Sequence, residues 1–218
     1  MVYLDRAQAG IVLAKQLARF ANREDVVVLG LPRGGVPVAA EVARALNAPL
    51  DVFVVRKLGL PGHEELAIGA IASGGVCILN DDVMRYAGLP GPVLEVVKQR
   101  ERLELERREL VYREGRAAVE VEGRTVILID DGLATGSSML AAVESVRRLK
   151  PARIVVAVPV AAAEAFETLR RAADECISAS TPDPFIAVGR WYRDFAQTTD
   201  DEVRDILSRQ NGCAGVQI

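Results

Sequence analysis

The stretch Arg124–Met139, RTVILIDDGLATGSSM, decides how this chain is read. The apolar run Val126–Ile129 leads into two adjacent carboxylates, Asp130 and Asp131. A turn of small and hydroxyl residues follows, and helix-compatible sequence begins near Ser137. A short continuous apolar run suits a strand buried on both faces of a parallel sheet. The aspartates then emerge at the carboxyl end of that strand, where open α/β sheets bind their ligands.

The turn itself is an anion cradle. Its backbone N–H groups and the following helix N-terminus converge on one small volume. The residues expected to hold an anion there are Ala134, Thr135, Gly136, Ser137 and Ser138. Hydrogen bonds to a charged group contribute about 1.5–3 kcal/mol each, so several of them could hold a phosphomonoester firmly. Asp130 and Asp131 would repel that phosphate if they pointed at it. They suit hydroxyls, a metal or a developing cation instead. The local chemistry therefore describes a 5-phosphorylated ribose, with hydroxyls on the aspartates and phosphate on the turn. The plainer alternative is a capped strand-to-helix turn with solvated aspartates. A P-loop is excluded because serine, not lysine, follows Gly136, and no G-x-G-x-x-G stretch is present.

Outward from this stretch, short apolar runs alternate with helical patterns. Strands are expected at 25–30 (DVVVLG), 50–57 (LDVFVVRK), 126–131, 152–160 and 173–180. Two more short strands are expected around the Gly-Gly turn of LAIGAIASGGVCILN, residues 66–80. Helices are expected at 5–20, 35–47, 137–149 and 161–172. This alternation predicts an α/β fold with an open, Rossmann-like parallel sheet covered on both faces. Residues 1–218 are read as a single domain. A charged, helix-favouring segment begins at Pro92 and runs to about Gly115, inside a helical insertion of about 81–116. Its residues Val96, Leu103 and Leu110 recur every seven positions and form a narrow apolar stripe. A solvated helix along one edge, a lid and a dimerisation arm are all compatible with it. Arg107, Arg108 and Arg113 could then reach the site on closure.

Composition sets outer bounds. The chain has 218 residues, 50% of them hydrophobic, and a net charge of −3. That balance gives no bulk attraction to nucleic acid, so no DNA partner is expected. Cys77, Cys176 and Cys213 are scattered, which fits a reduced, cytoplasmic setting. No apolar run approaches membrane-spanning length and no leader-like segment opens the chain, so no membrane association is expected. The single histidine, His63, argues against a histidine metal site.

Two further clusters carry chemistry. In LGLPRGGVPVA, residues 29–39, Arg33 follows an apolar run and precedes Gly34 and Gly35. Glycines permit close backbone approach and arginine binds diphosphate bidentately, so this is a second anion site. Arg56 and Lys57, at the end of the 50–57 strand, could face the same anion or be a solvated basic pair. In TPDPFIAVGRWYRDF, residues 181–195, aromatic residues cluster around the single tryptophan. They could stack on a planar base or form a satellite core.

The stretch VILIDDGLATGSS resembles the PRPP motif of the type I phosphoribosyltransferases, where PRPP is 5-phosphoribosyl 1-diphosphate. LGLPRGGVPVA is similar to the pyrophosphate loop of that family, and VVRKLGLPG, AVPV and VGRWYRDF extend the likeness over most of the chain. The resemblance implies a type I phosphoribosyltransferase fold with a mobile loop, a helical insertion and a small C-terminal hood at about 181–200. It implies Asp130 and Asp131 as catalytic and metal-facing residues, with Mg2+ as cofactor. It implies pyrophosphate binding by Arg33 and Gly34, with Arg56 and Lys57 as further candidates from their place on the sheet edge, and a cis peptide at Pro32–Arg33. It implies base binding by Phe185, Val188, Trp191 and Tyr192. The expected reaction transfers phosphoribose from PRPP to a nitrogenous base with release of pyrophosphate. Ala134 stands where 6-oxopurine enzymes carry an acid, which disfavours hypoxanthine and guanine. The expected assembly is a homo-oligomer, a dimer. A catalytically weak PRPP- or nucleotide-binding regulatory protein is the alternative.

Overall fold

The computed structural model describes residues 2–212; Cys213 and the residues after it lie outside the described part. Five strands form a wholly parallel sheet: β1 (Val26–Gly30), β2 (Leu50–Val52), β6 (Thr125–Ile129), β7 (Arg153–Val160) and β8 (Glu175–Ser180). Their order is β2-β1-β6-β7-β8. All residues of β1 and β6 are buried, as their unbroken apolar runs require. Helices α1 (Arg6–Gln16), α2 (Gly35–Leu46), α5 (Ser137–Arg148) and α6 (Ala163–Ala172) alternate with the strands. The sheet separates two apolar cores. One packs α1, α2 and the long helix on one face, and the other packs α5 and α6 on the opposite face.

The chain runs from β1 to β2 on one side, while β6 pairs with the other side of β1, with Gly30 opposite Ile129. The strand order therefore reverses between β1 and β6. Their carboxyl ends flank a topological switch point, the usual crevice for ligands in open α/β sheets.

The strand expected at 50–57 is two strands in two sheets. β2 stops at Val52, and β3 (Val55–Leu60) belongs to an antiparallel sheet with β4 (His63–Ala72) and β5 (Val76–Leu79). Phe53 N still donates to Gly30 O at 3.0 Å, while Val54 N donates to Ser73 Oγ at 2.9 Å. The partner changes between two adjacent residues within an apolar run, so no break is visible in the sequence. The hairpin around Gly74 and Gly75 forms as expected, both glycines having positive φ of 79° and 75°.

The expected insertion holds α3 (Asp81–Ala87) and α4 (Gly91–Arg113), and Pro92 occupies the first turn of α4. The apolar stripe faces away from the core. Val96, Leu103 and Leu110 are 69%, 56% and 67% exposed. The buried face carries Leu94, Val97, Glu101, Leu105 and Tyr112. A helix of 3.6 residues per turn drifts away from a seven-residue repeat, and one apolar residue per heptad does not define a seam. Buried polar contacts fix α4 in place. Arg56 donates to Glu101 Oε2 at 2.6 Å, and Arg113 Nε lies 3.0 Å from both oxygens of Asp51. Arg113 is thus committed to β2, and Arg107 and Arg108 both donate to Glu104. This helix packs on the body of the fold through both apolar and ionic contacts.

Segment 181–200 carries a cis Asp183–Pro184 peptide and a short helical turn at Val188–Trp191. Its aromatics pack on the N-terminal segment, and Tyr3 pairs with Tyr192 in an isolated parallel bridge. The final helix α7 (Asp200–Gly212) lies against α2 and α4.

Candidate active site

β6 delivers Asp130 and Asp131 to the switch point, and the loop after β1 meets them there. Leu31 N donates to Ile129 O at 2.8 Å, holding the two loops together. The peptide between Pro32 and Arg33 is cis. Gly34 and Gly35 pack directly on the aspartates. A Cβ at Gly34 would lie 2.8 Å from Asp131 Cγ, and one at Gly35 would lie 2.6 Å from Ile129 O and 2.9 Å from Asp130 Cα. Gly34 has φ −62°, which any residue can adopt. What demands glycine at this position is the carboxylate lying against it.

The acidic pair is shielded from solvent. Burial pushes the Asp130 carboxyl well above the usual carboxylate range, and the neighbouring Asp131 charge adds to the effect. Burial also raises Asp131, against the opposing pull of Arg6. Arg6 Nε donates to Asp131 Oδ2 at 2.8 Å, and both side chains are largely covered, at 12% and 15% exposure. Arg6 Nη1 donates to Ala196 O at 2.7 Å, and the guanidinium lies 4.0 Å from the centre of the Phe195 ring.

The turn after the aspartates has the expected form. Gly136, with φ 71°, caps α5, and Thr135 Oγ1 and Ser137 Oγ share a 2.9 Å hydrogen bond. Ala134, Thr135, Ser137 and Ser138 are exposed, so the turn is accessible to a ligand. A cleft of about 740 Å³ opens beside this turn, between Thr135, Gly136 and Ser137 on one wall and Lys57, Asp82 and Arg85 on the other. Asp130, Asp131 and Arg33 stand outside it.

The expected cations separate. Arg33 stays at the switch point, with its Nη1 3.7 Å from Asp200 at the start of α7. Lys57 is exposed and faces the cleft by the phosphate turn. Arg56 points to the other face of β3, where Glu101 holds it. Strand alternation sends neighbouring side chains to opposite faces, so the two could not act as one pair.

The aromatic segment resolves into mixed roles. Val188 packs over Gly132, where a Cβ would lie 2.6 Å from its Cγ1. Phe185, Val188 and Trp191 are half-buried against Tyr3, Ala9, Val160 and Tyr192. The side chain of Tyr192, expected as a base-stacking surface, is buried, and its hydroxyl donates to Asp131 O at 2.6 Å. Burial holds that hydroxyl above the ordinary tyrosine range. Its part is to anchor the aspartate loop. The satellite core sits under the N-terminal segment, and Tyr3 and Arg6 are the residues that the sequence did not single out. Nothing in the local pattern of α1 distinguishes Arg6 from a solvated first-turn arginine.

Among the described residues, no group of three or more histidine, cysteine or acidic side chains could enclose a metal. The acidic pair offers two hard carboxylates. That donor set fits magnesium, which is commonly held by one or two carboxylates while substrate phosphates and water complete its coordination.

Residues 3–190 match the family model of the phosphoribosyl transferase domain. The chain belongs to this family. Proteins from two strains of Mycobacterium tuberculosis, CDC 1551 / Oshkosh and ATCC 25618 / H37Rv, are named as phosphoribosyl transferases. Each is 47% identical over 205 residues, covering 94% of this chain. The matched region is 46% of those proteins, so the chain spans about half the length of the curated relatives it matches. The crystal structure of TT1426 from Thermus thermophilus is 47% identical and superimposes with a TM-score of 0.85, over 96% of this chain and 99% of that one. No helix among the described residues is long and apolar enough to cross a membrane.

Proposed function

We propose that the chain is a PRPP-dependent phosphoribosyltransferase that moves phosphoribose from PRPP to a ring nitrogen of a base and releases pyrophosphate. One observation carries this reading. The acidic pair, the Arg33 loop and the phosphate turn converge on the carboxyl ends of β1 and β6, at the switch point of the sheet.

In this reading the turn at Ala134–Ser138 binds the 5-phosphate through its amides and hydroxyls. Asp130 and Asp131 accept the ribose hydroxyls and stabilise positive charge that develops on the ring as the bond to pyrophosphate breaks. Arg33 binds the diphosphate at the switch point, while Lys57 from the second sheet lines the cleft beside the phosphate turn. Phe185, Val188 and Trp191 form the wall against which the base would lie. Asp130 and Asp131 would also hold magnesium, which when bound neutralises the leaving diphosphate. Ala134 offers no carboxylate to a purine N7, which disfavours hypoxanthine and guanine as acceptors. A homodimer and a cytoplasmic location go with this reading, and light scattering and cell fractionation check them.

The decisive experiment incubates the protein with PRPP, magnesium and a panel of free bases and follows pyrophosphate release. Release with one base above the base-free rate is the expected result. If no base gives release and calorimetry finds no PRPP binding at millimolar concentration, the proposal fails.

A further inference from the structure

The two aspartates are used asymmetrically. Asp130 Oδ1 accepts from the backbone N–H of Asp131 at 2.9 Å, and Asp131 Oδ2 accepts from Arg6 at 2.8 Å. Among the described residues, Asp130 Oδ2 and Asp131 Oδ1 have no donor. Each carboxylate therefore keeps one free oxygen, the pattern that a vicinal diol needs. The free oxygen of Asp131 is fixed by its surroundings. Gly34 presses on one side of the carboxylate, and Arg6 Nε sits only 3.2 Å from where a Cβ of Gly34 would stand. Arg6 itself cannot swing easily, because its fork is held by Ala196 O and its plane by the Phe195 ring.

We propose that Arg6 is a positioning residue for phosphoribosyl transfer: by taking Oδ2 of Asp131 and stacking on Phe195, it turns Oδ1 toward the ribose and ties that carboxylate to the aromatic segment. This inference rests on the phosphoribosyl reading above. It gives the start of the chain a part in the site, although α1 supplies no direct ligand to the sugar. It also explains why Tyr192, Phe195 and Ala196 gather around Asp131. Two of them grip the aspartate loop and its arginine through Tyr192 OH to Asp131 O at 2.6 Å and Arg6 to Ala196 O at 2.7 Å, and Phe195 supports the guanidinium.

The test is a double-mutant cycle on ligand binding. PRPP binding with magnesium is measured by calorimetry for the wild type, Arg6→Met, Asp131→Asn and the double variant, with thermal melting on each. Arg6→Met is expected to weaken PRPP binding about tenfold. The double variant is expected to bind no more weakly than the weaker single variant, because both changes remove the same arrangement. Arg6→Lys keeps the charge without the fork and should recover part of the loss. Inorganic phosphate, bound at a turn that Arg6 does not touch, should bind all variants equally. Unchanged PRPP affinity in Arg6→Met, or losses that add in the double variant, overturns the proposal and leaves Arg6 as a clamp for α1 alone. If Arg6→Met does not fold, Arg6→Lys enters the same cycle, with about threefold weakening expected and additivity again the overturning result. A wild type that binds phosphate but not PRPP refutes the phosphoribosyl reading itself. That result is distinct from a PRPP-binding wild type whose Arg6 variant is indifferent.

Discussion

The hydroxyl of Tyr112, at the end of the long helix, donates to Asp200 Oδ1 at 2.8 Å, and the same Asp200 lies 3.7 Å from the Arg33 guanidinium. The insertion, the last helix and the anion loop thus meet at one carboxylate. Tyr112→Phe should lower stability by about 1–2 kcal/mol, because Asp200 loses a partner next to a buried ring. The pH profile gives a second reading. Burial, followed by the Asp200 hydrogen bond, pushes the Tyr112 hydroxyl up to about 12. Between pH 10 and 12 the unfolded tyrosine ionises first, so the wild type loses this contribution as pH rises through that window. Melting curves at pH 8 and above pH 10 should show the phenylalanine variant closing the gap with the wild type.

Gly34→Ala should damage binding and folding together. Its methyl group would occupy the place of the Asp131 carboxylate. Overpacking of this kind costs about 1–3 kcal/mol, and a displaced Asp131 can no longer meet a sugar. Calorimetry with PRPP should show a loss of at least tenfold at temperatures where the variant is still folded. Near-normal binding would place the aspartate elsewhere in the liganded protein.

Arg113→Met probes the buried pair with Asp51. Removing one partner leaves a carboxylate buried at 6% exposure, although the Val52 and Val119 amides still reach it. The expected loss is about 3 kcal/mol, or a drop in melting temperature of about 8 °C for a chain of this size. No change in phosphate binding is expected, and a large one would connect this pair to the site.

The two aspartates should separate on substitution. Asp130→Asn removes one of two adjacent buried charges, so thermal stability should hold or rise. Asp131→Asn deprives Arg6 of its ionic partner, so stability should fall. Both should reduce transferase turnover about a hundredfold once an acceptor is known, since neither amide supplies negative charge to the ring. Single-turnover kinetics and melting curves on the two variants check all four outcomes. Near-wild-type turnover in both would make the pair structural.

The parallel sheet and the candidate site at its switch point were legible because their signals are local. Val126–Ile129, the two aspartates and Ala134–Ser138 are contiguous, and each feature follows from strand burial or from the amides of one turn. Three features were not legible for physical reasons. The change of sheet at Phe53–Val54 depends on Ser73, which lies far along the chain and meets Val54 only in the folded state. The buried face of α4 is chosen by Arg56, Asp51 and Asp200, polar partners to which apolar periodicity is blind. Arg6 meets Asp131 only because β6, α1 and the aromatic segment converge, and no local pattern in α1 encodes that meeting.

Asp51 has a further consequence for how the chain is threaded. Its carboxylate accepts from Val52 N, where the chain leaves the parallel sheet, and from Arg113 and Val119 N, where the chain comes back. One side chain therefore joins both ends of the excursion that holds β3, β4, β5, α3 and α4. Closing a long loop costs only about 0.6 kcal/mol more for each doubling of its length, so the length of the excursion adds little to the cost of pinning its neck. The excursion is itself part of the core, because Leu58, Ile68, Leu94 and Leu105 pack with α2 on one face of the parallel sheet, so the Asp51 neck fixes where that layer leaves the sheet and where it returns.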